Sequence, residues 1–124
     1  MKRRIKIYFD GGCRPNPGKM ETAVVTGGAA TVVYDAGVGS SMDAEWLALL
    51  AALRLAQELG LKNFVLLGDA AAVVAQANGA VPARGGAADH LSTFHTLVGE
   101  GPMPSVRHIK RTQNLAGIAL ARGR

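Results

Sequence analysis

Apolar positions change their spacing several times along the chain, and each change marks an element. Residues 5–10, "IKIYFD", carry β-branched and aromatic side chains in near alternation and run into turn formers, so they read as a strand. Residues 22–26 and 31–34 are two more Val- and Thr-rich runs, and Gly27-Gly28 between them is a hairpin signal. These three runs predict an antiparallel meander. The period then lengthens over residues 40–59. Ser40 or Ser41 can cap a helix there, Asp43 suits its first turn, and "AEWLALLAALRLAQELG" is rich in helix formers and stops at Gly60. Apolar residues occupy nearly all sides of that helix, which predicts burial on more than one face.

Residues 63–67 are a short apolar strand closed by Gly68-Asp69. Residues 70–77 are a short helix stopped by Asn78-Gly79, and residues 80–88, with Gly and Pro, are a loop. Residues 89–98 predict another helix, 105–109 a last strand and 113–121 a last helix. The order β-β-β-α-β-α-α-β-α makes an α/β domain with a mixed sheet, in which a parallel crossover buries a central strand. A chain of 124 residues without a linker or repeat fits one domain, residues 1–124.

Composition adds partners and setting. Fourteen Lys and Arg against nine Asp and Glu give +5 and a pI near 9.9, which favours an acidic partner such as nucleic acid. Lys2, Arg3, Arg4, Arg107, Lys110 and Arg111 are the expected basic surface. Cys13 is the only cysteine, which excludes an internal disulfide and a four-cysteine zinc site and fits the cytoplasm. No apolar run is long enough to be a signal sequence or a membrane span.

Three of the nine acids stand apart. Asp10 ends the first strand, and Asp69 ends the central strand. Sites in open α/β sheets lie beyond the carboxyl ends of strands, so parallel neighbours would bring both acids to one end. Glu45 opens the helical stripe Leu49, Ala52, Leu53, Ala56, all apolar. A carboxylate on a core-facing stripe is costly unless it is paired or binds a cation. Taken singly, Asp69 reads equally as a helix cap, Asp10 as a turn residue and Glu45 as a first-turn acid. Together they form a cluster whose mutual repulsion a hard divalent cation such as Mg2+ would relieve.

The segments "YFDGGCRPNPG", "AEWLALLAAL" and "LLGDAAAVVAQANG" resemble type 1 ribonuclease H. That family has an Asp in a D-G-[GAS]-C-x-x-N-P-G loop, then a Glu at the start of a long helix, then an Asp at the end of the fourth strand. The resemblance implies a ribonuclease H-like fold: a five-stranded mixed sheet, three strands antiparallel and the rest joined by parallel crossovers, with helices on both faces. It implies hydrolysis of the RNA strand of RNA–DNA hybrids with two Mg2+ or Mn2+ ions held by Asp10, Glu45 and Asp69. It also implies substrate contacts from Gly11, Gly12, Cys13, Asn16 and Ser40, in an enzyme that acts as a monomer without an obligate protein partner or a membrane.

The last helix departs from the family. Its N-x-x-A-D-x-L-A-like motif supplies a fourth carboxylate, whereas here the segment is "RTQNLAGIALARGR". Aligning Asn114 with the family Asn puts Ile118 at the acid's position, and aligning Gln113 puts Gly117 there. No Asp or Glu follows Glu100, so neither register supplies an acid. The Asn114 amide is a candidate to fill part of the gap. His108 precedes that helix at a spacing where some members carry an auxiliary His, though "SVRHIKR" also reads as strand. Arg111 is a further auxiliary candidate. His90 and His95, on a helix with Asp89, read as an exposed polar face. A binding protein of the same fold without efficient catalysis, or another nuclease on this scaffold, are the competing readings.

Overall fold

The computed structural model describes residues 3–123, so Lys2 lies outside the described residues. β1 (Ile5–Cys13), β2 (Gly18–Thr26) and β3 (Ala29–Val33) form the antiparallel meander. Gly27 and Gly28, at φ +58° and +77°, make the turn from β2 to β3. A two-residue hairpin needs left-handed backbone at both positions, which only glycine adopts freely. A short strand absent from the sequence reading, β4 (Val38–Gly39), pairs with the start of β2. Then follow α1 (Ser41–Glu58), β5 (Phe64–Gly68), α2 (Ala71–Ala77), α3 (Gly86–Val98), β6 (Ser105–His108), a 3-10 turn (Arg111–Gln113) and α4 (Leu115–Arg122).

The main strands lie in the order β3-β2-β1-β5-β6, with β1 parallel to β5 and β5 parallel to β6. Alternation divides β1 between two layers. Ile7 and Phe9 join Leu66, Val106 and the α1 residues Trp46, Leu49 and Leu53 in the larger core. Tyr8 points the other way, to Ala23, Val25, Ala116 and Leu120 beneath α4. Helices therefore cover both faces. α1 lies between the sheet and α2 and α3, which accounts for its all-round apolar surface. Trp46, fully buried, donates from Nε1 to Gln76 Oε1 of α2 at 2.8 Å.

Several boundaries move: β2 starts at Gly18 and not at residue 22, and β3 runs over Ala29–Val33 where residues 31–34 were expected. β1 continues through Gly11, Gly12 and Cys13, which pair with Thr22, Glu21 and Met20, so Asp10 is inside a strand and not at its end. Glycines give little strand signal, and the pairing with β2 overrides that weak propensity. The true loop is residues 14–17, where Arg14-Pro15 and Asn16-Pro17 are both cis. α3 starts at Gly86, before the expected start at Asp89. The last helix is split: Asn114 is the cap between the 3-10 turn and α4.

Candidate active site

The parallel ladder of β1 and β5 ends at the pair Tyr8–Leu67. Two residues beyond that pair stand Asp10, within β1, and Asp69, just past the end of β5, so both acids emerge at the same end of the parallel ladder. α1 brings the third. Its first turn lies directly on Gly11, where a Cβ would collide with the backbone of Ala44 and Glu45. Gly11 N–H donates to Glu45 Oε1 at 2.7 Å. The glycine therefore lets a helix terminus close on the strand, where sequence reasoning placed it against substrate.

Asp10, Glu45 and Asp69 line one cavity of about 370 Å³. Gly11, Gly12, Cys13, Arg14, Ser41, Ala70 and Arg111 complete its wall. Burial, the Asp10 charge and a hydrogen bond with Asp10 push the Glu45 carboxyl up to about 9, Asp69 adds to the rise, and Gly11 N–H opposes it. Burial and the neighbouring Asp10 carboxylate therefore favour the protonated form of Glu45. Asp69 is not a helix cap, because α2 is capped by Ala70 without a side-chain bond. Its Oδ1 accepts from Asn114 Nδ2 at 2.6 Å.

Among the described residues no three His, Cys, Asp or Glu side chains form a ready cage for an ion. The donor set nonetheless fits a hard cation: all oxygen, three carboxylates on one cavity, and one of them protonated for want of positive charge. Glu45 must lose its proton to serve as a ligand.

The auxiliary candidates separate. Asn114 is fully buried and its amide is committed. Nδ2 donates to Phe9 O at 3.0 Å as well as to Asp69, and Oδ1 accepts from Ala116 N at 3.1 Å. It orients Asp69 and caps α4, and has no free oxygen to replace a missing ligand. The Ser40 hydroxyl, expected to contact substrate, donates to Asp43 Oδ2 and accepts from Asp43 N within a capping box. Asn16 accepts from Ser41 N at 3.0 Å. Asn16 and Ser40 line a neighbouring cavity of about 450 Å³ that shares Ser41, Glu45 and Ala70 with the acidic one. Cys13 Sγ lies 3.1 Å from Pro15 O and 3.2 Å from Gly39 O, so the thiol ties the loop while its residue lines the acidic cavity.

His108 is exposed at the end of β6, paired with Gly68, and lines none of the cavities beside Asp10. Arg111 lines the acidic cavity and also an adjoining one of about 300 Å³ with Asp10, Thr112, Gly117, Ile118 and Ala121. Both fourth-acid candidates thus flank Asp10. A Cβ on Gly117 would lie 3.3 Å from Asp10 Oδ2, whereas Ile118 is 42% exposed.

Two features escaped the sequence reading. Ser41, one of two equivalent-looking cap candidates, lies in the acidic wall. His90 is not on an exposed face: its Nε2 is 2.8 Å from Asp43 Oδ1 and its ring stacks on Trp46 with centroids 6.2 Å apart. The Ser40 backbone N–H and His90 hold the Asp43 carboxyl below its usual range. Only the approach of α3 to α1 reveals this contact. His95 is exposed, as expected.

A mixed sheet with three acids converging at one end, helices on both faces and a capping Asn behind the third acid defines a ribonuclease H-like domain. The sequence profile described as reverse transcriptase-like matches residues 9–123, and the chain belongs to the type 1 ribonuclease H family within that class. It is 37% identical over 82 residues to ribonuclease HI of Halobacterium salinarum, a match covering 62% of this chain and 41% of that protein. The matched region thus spans about two fifths of that curated relative. Among solved structures, RNase H1 from Halobacterium salinarum NRC-1 superposes with a TM-score of 0.84 at 29% identity, over 95% of this chain and 94% of that one. LC11-RNase H1, solved in complex with an RNA/DNA hybrid, gives 0.83 at 26% identity, over 94% and 93%. The N-terminal ribonuclease H domain of rv2228c from Mycobacterium tuberculosis, at 22% identity and 0.74 over 98% and 99%, shares the fold.

Proposed function

We propose that this protein is a metal-dependent endonuclease that hydrolyses the RNA strand of RNA–DNA hybrids, working as a cytoplasmic monomer. The observation that carries the reading is the convergence of Asp10, Glu45 and Asp69 on one cavity in a chain of net charge +5. The hybrid bound by the related LC11-RNase H1 supports the substrate class. The three carboxylates would hold two ions, Mg2+ or Mn2+. When bound, such ions activate a water and stabilise the leaving oxygen of the phosphodiester.

The chain's own residues prepare that chemistry. Gly11 N–H and the Asp10 contact orient Glu45. Asn114 aims Asp69 from behind. Arg111, the one cation shared by the two cavities beside Asp10, is placed to meet a phosphate. Gly12, Cys13, Asn16 and Ser41 offer small and polar contacts suited to the backbone and 2′-hydroxyls of an RNA strand. The fourth carboxylate of the family is absent, because Gly117 and Ile118 occupy both positions from which it would come.

The test is incubation of hybrid, double-stranded RNA and double-stranded DNA with each ion. Cutting is expected only of the RNA strand of the hybrid. Asp10→Asn should lower it by on the order of 10³-fold, the scale of losing one preorganised electrostatic group. A clean preparation that never cuts the hybrid sinks the reading. The second reading, a hybrid-binding protein without catalysis, draws on the acid-free α4 and predicts salt-sensitive binding with no cleavage.

A further inference from the structure

The two faces of the sheet are not equally covered. α4 packs over β1, β2 and β3. On that same face the register aligns Lys6 with Val65 and Ser105, and Tyr8 with Leu67 and Arg107. Registered partners in a parallel ladder point to one side. Val65 and Leu67 are only 5% and 8% exposed, yet they belong to neither apolar cluster. Long basic side chains are their neighbours on this face, with apolar stems that can lie along the sheet while the charged heads reach water.

Those heads gather without an acid among them. Arg4 Nη1 and Arg107 Nε, from the two sides of β5, each reach Ser105 Oγ at 3.4 Å. Arg3, Arg4 and Lys6 line a cavity of about 670 Å³ with Ile5, Tyr8 and Gly27, none of them acidic. Two guanidinium groups directed at one neutral hydroxyl repel each other, and an anion bridging them would relieve the repulsion. Asp10 is also on this face, six residues along β1 from Arg4, about 20 Å away at ~3.3 Å per residue. Arg111 stands at the Asp10 end.

We propose that the open β5–β6 half of this face, centred on Arg4, Ser105 and Arg107, is a second contact surface for the phosphate backbone of nucleic acid extending beyond the acidic cavity. The proposal rests on the nucleic-acid reading of that cavity. The surface holds substrate that overhangs the cutting site and takes no part in the chemistry.

The test uses Arg4→Gln/Arg107→Gln, which keeps part of each aliphatic stem and removes the charge. Binding is measured without divalent ion in an Asp10→Asn background. One hybrid is about 24 bp, and the other is a hairpin-closed hybrid of about 6 bp, no longer than the ~20 Å step at roughly 3.4 Å per pair. The double variant should weaken the long hybrid about tenfold. It should flatten its log affinity against log salt slope by about 1.8, roughly 0.9 for each lost phosphate contact. The short hybrid's affinity, and its cleavage when Asp10 is intact, should not change. Arg4→Lys/Arg107→Lys should restore the slope. Unchanged binding of the long hybrid, or equal weakening of both, overturns the proposal. So does a variant that loses polyglutamate binding but keeps the hybrid, which would mark an acidic protein partner. If the wild-type chain cuts no hybrid but the long-hybrid difference stands, the catalytic reading fails and this surface survives.

Discussion

On the β1–α1 side of the cavity, negative charge is crowded and backbone is packed against backbone; on the α4 side there is no acid at all. Gly11 admits the first turn of α1, and burial together with repulsion from Asp10 favours a protonated Glu45. Opposite, Asn114 contributes a neutral amide, Gly117 and Ile118 contribute no polar side chain, and Arg111 brings a positive charge. The difference separates two tasks. The β1–α1 wall supplies two carboxylates under electrostatic strain, and Asn114 at the head of α4 orients the third, Asp69.

The most damaging way to break this comparison is Gly11→Ala. The added Cβ meets the backbone of Ala44 and Glu45, which no rotamer change relieves. Overpacking of that kind costs about 1–3 kcal/mol. Displacing Glu45 by even ~1 Å should cost on the order of 100-fold in cleavage. Melting curves and single-turnover cleavage read the two effects. Full activity in a folded variant would show that α1 needs no such seat.

Asn114→Ala attacks the other wall. It strips the cap from α4 and leaves Phe9 O and one Asp69 oxygen without their donor. The expected cost is about 1–3 kcal/mol of stability and 10–100-fold in activity, the scale for a residue that orients a ligand. Asn114→Asp sharpens the point. It keeps an oxygen for the cap but sets a carboxylate against Asp69, so activity should fall further than stability does. Equal losses in both measurements would reduce Asn114 to a cap.

The charge imbalance has a pH signature. Glu45 is raised from 4.5 to about 9 in the folded, ion-free protein. The folded state therefore keeps a proton that the unfolded chain releases. The associated stability is fully present below about 4.5 and is lost as pH rises through about 9. Melting temperature in chelator should fall across that window, by the equivalent of a few kcal/mol. Glu45→Gln should flatten the curve and stabilise the protein at alkaline pH while abolishing cleavage. A flat wild-type curve would mean that Glu45 is not buried beside Asp10 in solution.

Much of this was legible in the sequence, for physical reasons. The helix at 41–58, the central strand and the three acids announce themselves through apolar periodicity and through a carboxylate on an apolar stripe. "DGGC" read as a loop because glycine hides strand character, and only the pairing with β2 exposes it. Ser40 read as a substrate contact because its partner, Asp43, satisfies it only once the helix turn has formed. The His90–Asp43 contact joins residues 47 apart through the docking of α3 on α1, which no local pattern encodes. Asn114 was recognised by its motif, but its hold on Asp69 required the parallel β1–β5 geometry.

The smallest effect asks whether the α4 wall lacks only an acid. Matching Asn114 to the family Asn puts the expected acid position at Ile118, and a Cβ on Gly117 would sit closer to Asp10, 3.3 Å from Oδ2. Closeness is a disadvantage here. A carboxylate at 117 would be forced against Asp10 in a cavity whose acids already crowd, and Glu45 would become harder to ionise. Ile118 is 42% exposed and lines the same cavity as Asp10 and Arg111, so a side chain there has room to turn. Ile118→Asp should therefore raise cleavage several-fold and lower the ion concentration needed for half-maximal rate. Gly117→Asp should lower cleavage and, in chelator, lower the melting temperature. Cleavage titrated against Mn2+ and Mg2+ for both variants reads the outcome. A gain at 117 with none at 118 would shift the alignment by one residue, so that Gly117 and not Ile118 stands where the acid belongs.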